Sequence, residues 1–379
     1  MSSQIEFLNQ LRDIGKEAEL LCESIAKSRC LPTELVNKLK ATGAFKLWVG
    51  KEYGGSQTHI LDLIAGVQLL SYYNGALGWV LSVTGTAGLA SGYLKPENSQ
   101  NIFGDSMALT GGWAAPMGKA RKVDGGLIVS GNWSWGSGIT HCTHIVGGVM
   151  ISDVESKTTR SAVAYLNPSD VLFEDNWHVL GLEGSNSIDY GVSELFVPDS
   201  HWTYFPKMKP TIDDPLYRFS FLGALASGVA SVGLGIANRA IDEIIKLSQS
   251  KIPNGARNTL ANRPVTHYKI AQLKAKYHSS KAFLEDAIKE NWKEAEIGRI
   301  NKITKSNLRL AASYAVQESL SIVQSAYKIG GGSSIWNGVK LQDLLRDMHV
   351  VSQHGMISDH NIEIAGRIAF GLDVNEWLL

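Results

Sequence analysis

The hydrophobic period of the chain switches twice, from helical to β and back to helical, and that switch limits the folds open to it. In "PTELVNKLKATGAF" Leu35, Val36, Leu39 and Phe45 recur on one helical face, with Pro32 at the entry and Gly43 as a stop. "ILDLIAGVQLLSYYNGALGWVLSVTGTAGLASGYL" continues as two helices with a break at Asn74 and Gly75. From Met107 to Pro206 the pattern becomes short β-type runs between turn signals: "GGLIVSGNWSW", "THIVGGVMI", "SAVAYL", "VLFEDNWHVLG" and "SIDYGVSELFVP", with Asp124 and Gly125 marking a hairpin turn. Strands so spaced, with no helical pattern between them, predict an antiparallel sheet or barrel and not a doubly wound parallel one. Beyond residues 210–215 the helical period returns and holds, and four long helices there suggest a bundle. The expected class is α+β: a helical part over 1–106, an antiparallel β-barrel over 107–212 and a four-helix bundle over 213–379.

Composition excludes several functions. With 44% hydrophobic and 19% charged residues over 379 positions, the chain is globular and long enough for a large core. Lys plus Arg equals Asp plus Glu at 36 each, so no basic footprint marks a nucleic acid or an anionic membrane as partner, and a neutral surface leaves room for self-association. Cys22, Cys30 and Cys142 form neither a CxxC pair nor a disulfide framework. The acidic, amphipathic N-terminus "MSSQIEFLNQLRDIGKEAELL" lacks the basic and apolar regions of a secretory signal, so a cytoplasmic protein is expected. The uncharged stretches 76–94 and 219–238 are long enough to span a bilayer. Their Gly, Ser, Thr and Ala content predicts buried helices of a soluble protein instead, with no membrane partner.

Nucleotide fingerprints are missing. No GxGxxG opens a helix after a strand, and neither GxxxxGK[ST] nor GxSxG occurs. "GGGSS" at 330–334 follows a helical pattern and reads as its stop. Gly223, Ser227, Ser231 and Gly235 recur every four residues, a low ridge against which another helix or a flat ligand can lie closely. In "RDMHVVSQHGMISDH", 346–360, a continuous helix would put His349 and His360 within about 20° of each other but about three turns apart, too far to share an ion. The spacings match neither HExxH nor a facial triad, so no metal site is expected. On such a helix His354 would share a face with Asp347 and Ser358; a surface or packed role stays open beside a catalytic one. A second cluster lies in "LTGGWAAPMGKARKVDGGLIVSGNWSWGSGITH", 109–141. There Gly111, Gly112 and Gly118 allow close approach of backbone, and Trp113, Trp133 and Trp135 surround a strand. Ser137 sits between two glycines. Aromatic packing in a Gly-rich barrel accounts for this pattern, and so does a site for a planar heteroaromatic cofactor.

Taken together, these stretches resemble the acyl-CoA dehydrogenase superfamily along nearly the whole chain, and within it the oxygenase components of group D two-component flavin monooxygenases. "RCLPTELVNKLKATGAFKLWVGKEYGG" is similar to that branch's N-terminal helix and loop. Pro116, Gly118, Ala120 and "GGLIVSGNWSWGSGITH" are similar to its flavin-facing segment, and Arg346, Asp347 and His354 to its C-terminal motif. Many acyl-CoA dehydrogenases carry a catalytic glutamate shortly after the Arg-Asp pair; here "VSQHGM" stands in its place, and no glutamate occurs between Asp347 and Glu363. An imidazole with an ordinary pKa near ~6.5 suits a base or a peroxide partner at neutral pH better than a carboxylate does.

The resemblance implies an enzyme that takes reduced FAD or FMN from a separate, transiently bound NADH-dependent flavin reductase. It would react the flavin with O₂ to a C4a-hydroperoxide and hydroxylate a small aromatic substrate, for which an indole such as indole-3-acetate is the leading expectation. His354 and Ser137 would be catalytic, with Ser137 bonding the flavin near N5 and Trp135 packing on the ring. Trp113 would line both the flavin site and the substrate pocket, which Ser82, Thr84 and His354 would complete. Arg263 would reach the flavin phosphates of a neighbouring subunit in a homotetramer. Asp347 would orient structure through Arg346 or backbone. The alternatives are an acyl-CoA dehydrogenase with a displaced base and a flavin-binding protein without catalysis.

Overall fold

The computed structural model describes residues 2–153, 158–205, 209–375 and 379. Six helices open the chain: α1 (Ser2–Leu20), α2 (Cys22–Ser28), α3 (Thr33–Ala41), α4 (Ile60–Tyr73), α5 (Gly75–Ala87) and α6 (Pro96–Phe103). In α3 the expected Leu35, Val36 and Leu39 are buried, and Gly43 beyond it adopts φ +76, a left-handed angle that stops the helix without strain. Asn74 separates α4 from α5 by an extended backbone, and its Oδ1 accepts the Leu77 N–H at 2.9 Å as a new N-cap. Almost every residue of α5 is buried, which makes it the central helix of this part.

Among the described residues seven strands follow: β1 (Thr110–Val123), β2 (Gly126–Gly136), β3 (His144–Asp153), β4 (Thr158–Leu166), β5 (Leu172–Phe173), β6 (Ile188–Pro198) and β7 (Trp202–Tyr204). They form one sheet in the order β5-β6-β2-β1-β3-β4-β7. Gly125 at φ +74 makes the expected hairpin between β1 and β2. The expectation of a purely antiparallel sheet needs correction, because β1 and β3 run parallel from Thr110↔His144 onward. β2 returns the chain to the start of β1, and a short crossover over residues 137–143 then places β3 on β1's other side, heading the same way. "VLFEDNWHVLG" also departs from expectation. Only Leu172 and Phe173 pair as a strand, and the segment beyond them turns out of the sheet to meet the C-terminal helices.

The last part contains α7 (Pro215–Arg218), α8 (Phe221–Ser250), α9 (Pro264–Glu296), α10 (Lys302–Gly330), α11 (Lys340–Val351) and α12 (Asp359–Ala369). α8 packs on α4 and α5 as well as on α9, α10 and α11, so it joins the two helical parts. Its small residues serve that packing. A Cβ on Gly235 would lie 2.4 Å from the Gln68 carbonyl oxygen of α4, and one on Gly228 would lie 2.6 Å from Ser82 Oγ of α5. Among the described residues α8 is the one helix long and apolar enough to cross a membrane, but 78% of its apolar window is buried within the fold, as in a core helix. No group of three His, Cys, Asp or Glu side chains among the described residues is placed to hold a metal ion.

Candidate active site

α11 ends at Val351, and the chain then leaves the helical path. His354 has an extended backbone (φ −72, ψ 133) and caps the short 3-10 turn Gly355–Ile357, its Nδ1 accepting the Met356 N–H at 3.2 Å. The continuous helix expected through this stretch is therefore absent, and His354 shares no helical face with Asp347 or Ser358. The side chain supplies an acceptor that competes with the helix for a backbone donor, as capping residues do. His349 stays within α11, and the exposed His360 pairs with Glu363 at 3.2 Å in α12.

Because Nδ1 is an acceptor, the neutral His354 ring carries its proton on Nε2. Burial, and then the nearby Arg309 guanidinium, push its pKa down to about 4, so the ring is neutral at physiological pH. Arg309, on α10, is 3% exposed and pairs with no carboxylate among the described residues: Nη1 bonds the Leu222 carbonyl at 2.9 Å and Met356 Sδ at 3.4 Å, and Nη2 bonds Asn361 Oδ1. Asn361 in turn donates to the Gly355 and Ser358 carbonyls at 3.3 and 3.1 Å. The residues flanking His354 are thus tied to a buried cation, whose own pKa burial lowers to about 10 without discharging it.

On the other side lies the crossover between β2 and β3. Ser137 Oγ accepts the indole N–H of Trp79, from α5, at 2.9 Å, and the same indole meets the His354 ring edge-on at 5.4 Å. Trp79 therefore joins the two polar side chains that the sequence singled out. It escaped sequence reasoning because it lies within an apolar helix, where a tryptophan reads as packing. The available signal was that a buried indole N–H needs an acceptor, and that helix offers few.

Ser137 Oγ also lies 2.7 Å from Ser187 Oγ, which lies 2.8 Å from Ser185 Oγ. These serines sit on a turn in which Leu182 and Asn186 take left-handed φ values of +53 and +46. Asp347 clamps that turn to α11, its Oδ1 accepting the Leu182 N–H at 2.6 Å, while Arg346 bonds Glu183 at 3.3 Å and Asp343 at 2.7 Å. The close fit needs glycines: a Cβ on Gly181 would fall 2.4 Å from the Arg346 backbone, and one on Gly75 would fall 2.6 Å from Asp347 Oδ2. Burial raises the Asp347 carboxyl to about 6. Asp347 thus acts on the turn through a backbone N–H, and Arg346 through carboxylate side chains.

The three tryptophans divide. Trp133 is wholly buried, donates to the Gly148 carbonyl at 2.8 Å and stacks on Tyr190, which makes it core. Trp113 and Trp135 meet edge to face at 5.5 Å. Trp135 is 58% exposed and held at φ +63, where β2 and β6 shift register. A bulky residue there costs roughly 1–3 kcal/mol, and such strain gathers at functional sites. Among the described residues the Trp113 indole nitrogen is buried without a partner. An exposed indole face, an orphaned N–H and a serine hydroxyl two residues away suit a planar ring bearing several acceptors, so these residues fit a flavin.

Of the remaining candidates, two lie on the same helix as Trp79. Ser82 packs against Gly228 of α8, and Thr84 hydrogen-bonds the Val80 carbonyl at 2.6 Å with its methyl turned to Gly111. Both are 1% exposed, so their helix presents them to protein and not to an open pocket. Arg263 is exposed immediately before α9.

Residues 227–359 match the family described as acyl-CoA dehydrogenase, C-terminal domain. Along 91% of its length the chain is 28% identical to indole-3-acetate monooxygenase of Pseudomonas putida, covering 88% of that protein. It is 24% identical to the oxygenase component of p-hydroxyphenylacetate 3-hydroxylase of Acinetobacter baumannii, over 98% of this chain and 90% of the other. The structure of XiaF from Streptomyces sp., in complex with FADH2 and glycerol, superposes with a TM-score of 0.92 at 21% identity, covering 98% of this chain and 96% of that one. The fold is that of the acyl-CoA dehydrogenases: helical, then sheet, then helical.

Proposed function

We propose that this chain, built on the acyl-CoA dehydrogenase fold, is the oxygenase component of a two-component flavin monooxygenase. It is an oxidoreductase that uses reduced flavin and O₂ to hydroxylate an aromatic or heteroaromatic substrate. The observation that carries this reading is a neutral imidazole, not a carboxylate, facing the Trp79–Ser137 pair. A dehydrogenase working on thioesters needs a base to remove a proton from carbon. Here the nearest candidate, His354, has its pKa pushed down to about 4 and offers an Nε2–H instead.

Reduced FAD or FMN supplies the electrons and the site at which O₂ is activated. Trp113 and Trp135 hold the ring, and Ser137 donates to its edge. His354, a hydrogen-bond donor at neutral pH, steadies the oxygen to be transferred and orients the substrate hydroxyl or N–H. A base role requires the bound ligands to restore its basicity.

The relatives' names point to an arylacetate, and an indole such as indole-3-acetate is our leading substrate. A separate NADH-dependent reductase supplies the flavin in the cytoplasm. α8 to α11 act as a four-helix bundle against a sheet curled toward a barrel. Bundles from four copies pack into a tetramer, which brings Arg263 of one copy to the flavin phosphates of the next.

The test is incubation with a general flavin reductase, NADH, O₂ and an aromatic panel including indoles. A product heavier by one oxygen is expected by mass spectrometry. Peroxide alone, or anaerobic bleaching of bound flavin by an acyl-CoA, would overturn the reading.

A further inference from the structure

We propose that Ser187 and Ser185 are positioning residues that turn the Ser137 hydroxyl outward, so that Ser137 meets its ligand only as a donor. This rests on the flavin reading above and specifies how the protein presents that serine.

Hydrogen-bonding capacity decides the direction. A serine hydroxyl has one proton to donate and two lone pairs to accept with. The Trp79 indole can only donate, so it fills one lone pair of Ser137 at 2.9 Å. The second neighbour is Ser187 Oγ at 2.7 Å, where either oxygen can hold the proton, and Ser187 is followed by Ser185 at 2.8 Å. Ser187 cannot donate to both neighbours, and if it accepted from both its own buried proton would have no acceptor among the described residues, so two directions are left for this chain. If Ser137 donates to Ser187 and Ser187 to Ser185, the last proton has nowhere to go, because among the described residues Ser185 Oγ bonds to Ser187 Oγ alone and Ser185 is fully buried.

In the opposite direction Ser185 donates to Ser187 and Ser187 to Ser137. Every buried proton then has an acceptor, both Ser137 lone pairs are filled, and only the Ser137 O–H remains. Exposure points to the same end of the chain, at 0% for Ser185, 3% for Ser187 and 8% for Ser137. A buried hydroxyl left without an acceptor is costly, so the free donor belongs where a ligand can meet it.

The rest of the fold supports the chain's geometry. The two inner serines ride on the turn bounded by the left-handed Leu182 and Asn186, and Asp347 of α11 holds that turn through the Leu182 N–H. The same helix leads directly into the His354 segment. α11 therefore fixes both polar groups of the site, one through the chain that follows it and the other through a turn of the middle part.

The decisive experiment loads the full chain with oxidised flavin carrying ¹⁵N at N5, whose in-plane lone pair can only accept, and compares it with Ser137→Ala, Ser187→Ala and Ser185→Ala. Ser187→Ala should move the N5 resonance in the same direction as Ser137→Ala and weaken binding of that flavin about three- to tenfold. The Ser137→Ala/Ser187→Ala double variant should bind no more weakly than Ser137→Ala alone. Ser185→Ala leaves the neighbours of Ser137 in place, so it carries the test if Ser187→Ala fails to fold, and a smaller movement in the same direction is expected. An N5 resonance unmoved in either variant, while Ser137→Ala moves it, overturns the positioning role alone. Failure of the unaltered chain to bind reduced flavin overturns the functional reading itself.

Discussion

His354 and Ser137 stand on either side of the Trp79 indole, yet their backbones are held in unlike ways. The His354 segment has ordinary dihedral angles and is fastened by side chains: Arg309 bonds Met356 and Asn361, and Asn361 bonds the carbonyl of Gly355, which opens the 3-10 turn, and that of Ser358 just after it. Around Ser137 the position is fixed by backbone, through left-handed Trp135, Leu182 and Asn186, a register shift beside Gly136, and hydroxyls that bond one another. A group held by a buried cation has its charge state set along with its place. One held by strained backbone has its direction set while its chemistry stays that of a plain hydroxyl. The first arrangement suits a group whose protonation matters, and the second suits a group that needs only to point.

If that division is correct, His354→Ala has the largest effect. Flavin binding should survive, because the aromatic pair and Ser137 are untouched. Product formation should fall by about 10²–10⁴-fold, the range for a lost positioned acid–base group, with hydrogen peroxide released in its place. Product yield equal to that of the unaltered chain would remove His354 from the chemistry.

Arg309→Met comes next. It keeps the volume but loses the bonds to Leu222 and Asn361 together with the charge. Misplacing a reacting group by about 1 Å costs up to ~10²-fold, so coupling of O₂ to product should fall by as much as that. The loss should be small in a His354→Ala background, because both changes act through one group. The pH profile separates charge from packing. His354 in the intact fold should stay neutral until the pH falls to about 4, whereas without the Arg309 charge its protonation should begin at higher pH. Arg309→Lys should retain most of the low-pH behaviour.

These two residues also mark what was legible in the chain and what was not. The helix–β–helix layout follows from hydrophobic period, which is local and dense in signal. So do the hairpin at Asp124 and Gly125 and the break at Asn74, because turn chemistry is local as well. His354 and Ser137 are visible as a histidine and a glycine-flanked serine that packing does not demand. Arg309 and Trp79 are not. Each lies inside a helical pattern, and its role arises from contacts across 45 or more positions of sequence, to His354, Met356 and Asn361 or to Ser137. The parallel β1–β3 pair is hidden for a related reason, since only tertiary pairing reveals on which side of β1 the chain returns. Ser82 and Thr84, which the resemblance assigned to the substrate pocket, are 1% exposed on α5, and Thr84 bonds the Val80 carbonyl of its own helix.

The strained side can be probed by relieving it. Trp135→Gly places at φ +63 the residue that takes that angle without penalty. Because the side chain is 58% exposed, little packing is lost, and the unfolding free energy should rise by up to ~1 kcal/mol in denaturant titration. Flavin affinity should fall in the same variant, since the ring loses its aromatic face. A Trp135→Gly protein no more stable and no weaker in flavin binding than the parent would mean that the left-handed backbone has no part in the site.

The smallest effect belongs to Asp347, which holds the serine turn with one carboxylate oxygen. Its folded pKa, about 6, lies above the ordinary 3.8, so the fold prefers the protonated acid. The stability tied to this group is complete below the ordinary value and is lost as the pH rises through about 6. Asp347→Asn keeps an acceptor for the Leu182 N–H but cannot ionise, so that decline should vanish. Thermal melts should show Tm about 1–2 °C higher than the parent's at roughly pH 8 and nearly equal to it at about pH 4. Asp347→Ala removes the acceptor as well and should lower Tm at both pH values while loosening the turn. The same melts therefore separate the clamp from the charge. If Asn and Ala behave alike, the hydrogen bond to Leu182 contributes nothing, and the link from α11 to the serine chain fails with it.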